Sequence, residues 1–199
     1  MPGNDSLSEY RKKRDLSRSP EPGDGRERKA EQRFVIQKHA ARSLHYDFRI
    51  EVGGVLASWA IPKGPSTDKR VQRLAIHVED HPADYIDFEG VIPEGEYGAG
   101  AVIVWDTGPY RNLMEEKEKP RSIEESIESG HAELWLDGEK LEGGFSLVRI
   151  NKEKDHWLLS KMDDEHADAR RNPVSTEPES VLSGKTIEDL EREAEEERQ

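Results

Sequence analysis

No cysteine occurs in the 199 residues, which excludes a disulfide scaffold, Cys-ligated zinc and a thiol nucleophile. No apolar run approaches the roughly 20 residues needed to span a bilayer. Met1-Pro2-Gly3-Asn4-Asp5 lacks the apolar stretch of a secretory signal. A cytoplasmic chain with no membrane partner is expected. Hydrophobic residues make up only 33%, and 30 basic residues face 43 acidic ones, for a net charge of −13. On charge alone a nucleic-acid partner is disfavoured, because phosphate neutralisation needs Lys and Arg.

The averages conceal three segments. Residues 34–161 hold 51 hydrophobic residues, whereas residues 1–33 hold 5 and residues 162–199 hold 9. The middle segment can bury a core of single-domain size, and the flanks read as an N-terminal arm and an acidic C-terminal tail. Of the 43 acidic residues, 25 lie beyond residue 113. Glu188–Glu197 reads as a solvated helix or a solubilising tail.

The core segment has the period of strands. In 45–52, Tyr46, Phe48, Ile50 and Val52 share one face, and His45, Asp47, Arg49 and Glu51 share the other. Gly53-Gly54 makes a two-residue hairpin turn into 55–61. In 73–81, Leu74, Ile76 and Val78 alternate with Arg73, Ala75, His77, Glu79 and His81. Further strands are predicted at 34–37, 101–105, 132–136, 145–150 and 156–160. Only Ser122–Ser129 reads as a helix, with Ser122 and Glu125 as a capping box. The pattern predicts a mainly β fold: a compact closed barrel of about eight strands with one or two short helices.

The polar faces carry the chemistry. His45 and Asp47 point the same way along a strand, roughly 7 Å apart at the Cβ atoms, and the five-residue connection to His39 offers a third ligand. Two nitrogens and one oxygen suit Mn²⁺, Zn²⁺, Fe²⁺ or Co²⁺ better than Ca²⁺ or Mg²⁺. His-x-Asp alone is equally the wet face of an amphipathic strand. Arg49 on the same face adds a guanidinium able to grip phosphate through two parallel hydrogen bonds. Arg73, Glu79 and His81 share the parity of a second face, with Tyr85 four residues on. His81, before Pro82, is placed at a rim with an imidazole suited to proton transfer. His77 has the same parity, and His131, His156 and His166 read as surface residues. Gly95–Gly100 precedes a strand, not a helix, so it reads as a tight turn rather than a phosphate loop. The four Trp residues read as packing.

Phe34-Val35-Ile36-Gln37-Lys38-His39, Leu44-His45-Tyr46-Asp47-Phe48-Arg49, Trp59-Ala60-Ile61-Pro62-Lys63-Gly64-Pro65, Val78-Glu79-Asp80-His81-Pro82 and Tyr97-Gly98-Ala99-Gly100 resemble the 3′-phosphoesterase module of bacterial DNA ligase D, as do Val104-Trp105-Asp106, Gly138-Glu139-Lys140-Leu141 and Leu147-Val148-Arg149. The resemblance runs over roughly residues 8–161. It implies a β-barrel that removes a 3′-terminal ribonucleoside and then a 3′-phosphate, leaving a 3′-OH on DNA. It implies Mn²⁺, with Co²⁺ or Zn²⁺ as alternatives, held by His39, His45 and Asp47. It implies catalytic roles for Arg49, Arg73, His81, Tyr85 and Glu79. It implies substrate contacts by Arg14, Asp15, Glu21, Gln37 and Lys63, from an arm that folds over the site. The implied partners are DNA 3′ ends, such as a primer-template bearing a ribonucleotide or phosphate, with separate polymerase, ligase and end-joining proteins. A monomeric, stand-alone version is expected, as is a rise in non-specific DNA binding when residues 162–199 are deleted.

Two other readings use the same residues. A non-haem Fe(II) oxygenase would need His131 or His156 as third ligand, with Arg149 for a 2-oxoacid. A non-catalytic module that binds DNA ends or repair proteins would not need His39, His45 and Asp47 together.

Overall fold

The Gly53-Gly54 turn sets the frame. Both glycines have positive φ, +57° and +84°, the twist that joins two antiparallel strands through two residues. In the computed structural model, which describes residues 5–23 and 31–199, that turn joins β2 (Leu44–Val52) to β3 (Val55–Ile61). The other strands are β1 (Arg33–Ala40), β4 (Gln72–Pro82), β5 (Gly90–Ile92), β6 (Gly100–Asn112), β7 (His131–Asp137), β8 (Glu142–Asn151) and β9 (His156–Lys161). All neighbouring pairs are antiparallel, in the order β1-β2-β3-β4-β9-β8-β7-β6, and pairing of β1 with β6 closes eight strands into a barrel. The short β5 adds to the outer part of β6. The helices are α1 (Ser8–Lys12), α2 (Ile123–Ser129), α3 (Pro173–Thr176) and α4 (Ile187–Glu197). Ser122 and Glu125 form the capping box of α2 as expected.

Alternation along β2 separates two environments. Tyr46, Phe48 and Ile50 join Trp59, Trp105, Phe145 and Trp157 in the barrel core. Asp47 and Arg49 therefore face outward, yet they are buried too. A second apolar cluster covers that outer face, built from Tyr10, Val35, Leu56, Tyr85, Ile86, Phe88, Ile92 and Val104. The site thus lies outside the barrel wall, roofed by α1, by the 3₁₀ turn Ala83–Asp87 and by β5.

Residues 162–199 depart from the tail expected of their composition. Glu177 O accepts from Trp105 Nε1 at 2.7 Å and Lys140 Nζ at 3.0 Å, and Val181 N donates to Val104 O at 3.0 Å. Thr67 Oγ1 donates to the carbonyls of Asp168 and Arg171. Ile187, at the start of α4, is buried against Ala101 and Ile103. The segment is anchored through its main chain, through Asp164 on Gly144 N and Lys161 Nζ, and through apolar contacts of Val174, Val181 and Ile187. Deleting residues 162–199 therefore strips barrel contacts and cannot serve as a clean probe of charge. Ile187→Ala should lower stability by about 2 kcal/mol, read as a shifted urea midpoint with an unchanged slope.

Candidate metal and phosphate site

The β1–β2 register sets His39 opposite His45 and Gln37 opposite Asp47. The ligand atoms of His39, His45 and Asp47 lie within 4.8 Å of one another. Asp47 Oδ2 is 3.4 Å from His39 Nδ1 and 3.2 Å from His45 Nε2. Each imidazole has its far nitrogen on a backbone carbonyl: His39 Nε2 on Gly98 O at 2.6 Å, and His45 Nδ1 on Ser43 O at 3.0 Å. Only an N–H can bond a carbonyl, so these contacts make the far nitrogen of each ring a donor and leave His39 Nδ1 and His45 Nε2 facing Asp47. Asp47 can hold protons on these two facing nitrogens, and a divalent cation set between the three atoms would replace those protons. The donor set therefore fits a divalent transition metal. Burial opposes the charge on Asp47, but Arg49 and the two imidazoles outweigh it and hold the carboxyl well below its ordinary value.

Arg49 adjoins this cluster. Its Nε donates to Gln37 Oε1 at 2.8 Å, and Gln37 Nε2 is anchored on the carbonyls of Tyr85 and Phe88. Its Nη2 lies 3.5 Å from Asp47 Oδ2. The buried Nη1 has no hydrogen-bond partner among the described residues. A buried guanidinium N–H left unpaired is costly, and a phosphate oxygen would satisfy it. Gln37 does not line the pocket and acts by orienting Arg49.

The arm supplies the roof. Arg14 bonds Glu21 Oε2 at 2.8 Å, Glu79 Oε1 at 3.3 Å and His81 Nε2 at 3.2 Å. Tyr85 OH donates to Glu21 Oε2 at 2.7 Å. Lys13 Nζ reaches Glu79 Oε2 at 3.0 Å. Tyr10, missed by pattern reading because it sits in a short charged segment, packs edge-on against His81 at 5.1 Å and carries Arg14 over its ring at 4.0 Å. The half-open pocket of about 240 Å³ is lined by Arg14, Glu21, His39, His45, Asp47, Arg49, Glu79, His81 and Tyr85, with Ala41, Ala60, Val78, Ile92, Tyr97 and Gly98. Of the arm, residues 24–30 lie outside the described residues.

His81 is held neutral. Burial comes first among the causes, followed by the charges of Arg49 and Arg14, and together they push its imidazole well below the ordinary 6.5. Its Nδ1–H donates to Glu79 O at 2.9 Å, so Nε2 is the acceptor for Arg14. Below the ordinary 6.5 the unfolded chain binds a proton that the fold refuses. The contribution is therefore present above that value and lost as pH falls below it. In chelator, His81 should pull the urea midpoint down between pH about 7.5 and about 5.5 while His45, whose imidazole pKa is raised, pulls it up, so His81→Gln should raise the midpoint at the lower pH relative to the higher.

Three expected site residues lie elsewhere. Leu56 pairs with His81 but Ser58 pairs with Val78, so β4 carries one extra residue there. This bulge flips the side-chain parity. His81 consequently shares a face with Val78 and Ile76, while Arg73 falls on the core face beside Ala75, opposite Leu159. Asp15 is exposed and accepts from Ser17 N and Oγ, a local turn bond. Lys63 is exposed in the turn after β3 and does not line the pocket. His77 stacks on Trp59 at 4.8 Å and pairs with Asp155. His131 and His156 lie on β7 and β9, outside the pocket, so neither completes an oxygenase triad.

A family model for the DNA ligase D 3′-phosphoesterase domain matches residues 37–149, the stretch that carries His39, His45, Asp47, Arg49 and His81. The chain belongs to that family. It is 47% identical over 194 residues to the multifunctional non-homologous end joining protein LigD of Pseudomonas aeruginosa, covering 94% of this chain and 22% of that protein. It is 44% identical over 166 residues to the Mycobacterium tuberculosis LigD, covering 79% of this chain and 20% of that protein. The Mycolicibacterium smegmatis LigD is 43% identical over 167 residues, covering 81% of this chain and 21% of that protein. The chain thus spans about a fifth of the length of these LigD proteins. Among the described residues, no helix is long and apolar enough to cross a membrane.

Proposed function

We propose that this chain is a metal-dependent phosphoesterase that heals DNA 3′ ends, removing a terminal ribonucleoside, a 3′-phosphate or both to leave a 3′-OH for end joining. The observation that carries this reading is the His39–His45–Asp47 cluster set beside the unpaired Nη1 of Arg49 in one pocket. Family membership and the names of the LigD relatives support hydrolysis at DNA ends.

His39 Nδ1, His45 Nε2 and Asp47 would hold a divalent metal, which when bound would supply a Lewis acid for phosphate chemistry and acidify water; Mn²⁺ is the proposed ion, with Co²⁺ or Zn²⁺ as alternatives. Arg49 offers Nη1 to a non-bridging oxygen, and its fixed bond to Gln37 means little reorganisation as charge develops there. His81 begins neutral, with Nε2 toward the pocket. Phosphate charge beside it raises its proton affinity, so Nε2 can take a proton from solvent in place of the Arg14 hydrogen bond and pass it to the leaving oxygen. Tyr85 is kept protonated, chiefly by burial. Its hydroxyl and Arg14 share Glu21, so both donors are positioned by one carboxylate.

The proposed partners are DNA 3′ ends, in a primer-template with one 3′ ribonucleotide or 3′-phosphate, alongside polymerase, ligase and end-joining activities. A monomer in the cytoplasm is proposed. Conversion of a labelled 3′-phosphate primer to 3′-OH in Mn²⁺, absent in chelator, tests the reading. Gel-shift binding without any product would favour a non-catalytic end-binding module.

A further inference from the structure

The roles above account for the charged lining of the pocket but leave Tyr97 unused. Tyr97 is 48% exposed, and among the described residues lining the pocket it alone is exposed. Its position is fixed relative to the metal ligands. The next residue, Gly98, has φ +73° and gives its carbonyl to His39 Nε2 at 2.6 Å. Gly100, at φ +135°, lies so close to the Ala40 carbonyl that a Cβ there would sit 1.9 Å from the oxygen. The loop is therefore clamped to the end of β1, and the Tyr97 ring is held at the mouth. Lys13 Nζ and Arg14 Cζ lie 5.2 Å and 5.1 Å from its centroid.

A phosphate seated on Arg49 and the ligand cluster uses the floor. The rest of the lining is Ala41, Ala60, Val78, Ile92, Gly98 and Tyr97, and of these Tyr97 alone is exposed, so a group esterified to that phosphate would reach solvent past its ring. None of the four aliphatic side chains can bond phosphate oxygens, but all can pack on a sugar. The geometry points to the Tyr97 ring as a stacking platform for the nucleoside leaving group, a subsite that favours nucleoside-bearing diesters over the bare 3′-phosphate. A flat, held, half-exposed aromatic offers area for a base at little entropic cost. This inference rests on the phosphoesterase reading.

The test compares two labelled primers, one ending in a ribonucleoside 3′ to the scissile phosphate and one in a 3′-phosphate, in Mn²⁺. Tyr97→Ala should lower the diester-to-monoester ratio of kcat/KM by about 5- to 150-fold, the span of base–aromatic stacking. The loss should fall mainly in KM, because stacking holds ground and transition states alike. Tyr97→Trp should restore the ratio, since any aromatic face can stack. An unchanged ratio, or equal losses on both primers, would overturn the inference while leaving the enzyme reading intact. Failure of the unmodified chain on both primers would instead overturn the enzyme reading.

Discussion

Asp47→Ala should reduce 3′-end processing by about a thousandfold or more, since it removes the ligand on which both imidazoles converge. The barrel should remain folded. Asp47 points away from the core that Tyr46 and Phe48 fill from the adjacent positions of β2. The substitution leaves the buried guanidinium of Arg49 less compensated, so some stability is lost. His45→Ala provides the second variant, because His45 is less buried and its loss leaves the Asp47–Arg49 contact in place. Activity of both variants on a 3′-phosphate primer, with circular dichroism for the fold, separates lost chemistry from lost structure. Mn²⁺ affinity should fall alongside activity in each.

Arg49→Ala should cost about a hundred- to a thousandfold in kcat, the usual loss when one preorganised donor to a developing oxyanion is removed. Arg49→Lys should not rescue it. The guanidinium uses Nε for Gln37, turns Nη2 to Asp47 and keeps Nη1 for substrate, with Cζ 4.9 Å from the Tyr85 ring centroid. A single ammonium cannot do all of this at once. Gln37→Ala should show a smaller, kcat-weighted loss of about tenfold, because it loosens Arg49 without removing it. Steady-state kinetics on one primer across the three variants checks the ranking.

Much of this site is legible in the sequence because its central residues obey one rule, strand alternation. Tyr46-Asp47-Phe48-Arg49 reads directly as core, site, core, site, and the β1–β2 register puts His39 across from His45, as the five-residue connection suggests. The same rule misplaces Arg73. It assumes an unbroken β4, whereas one extra residue near Glu79 reverses the faces between Arg73 and His81. A bulge leaves no mark in hydropathy. Tyr97 escapes pattern reading for a different reason: it lies in a glycine turn, where no period indicates direction. The C-terminal strap escapes because many of its ties are main-chain groups, such as the Glu177 carbonyl and the Val181 amide, which composition does not register.

Net charge misleads in the same way. A chain at −13 argues against DNA, but the local arrangement matters more. Arg14, Arg49 and a bound cation would face substrate in a pocket whose carboxylates, Glu21, Glu79 and Asp47, are already engaged. Short-range capture of a single 3′ end needs no basic surface.

The most direct test is a labelled primer-template ending in one ribonucleotide, incubated with chelator, then with Mn²⁺, with the products resolved by length and end group. The account predicts no change in chelator, loss of the terminal nucleoside followed by a 3′-OH product in Mn²⁺, and no product with Asp47→Ala. Unshortened primer in Mn²⁺, or equal shortening by Asp47→Ala, would contradict it.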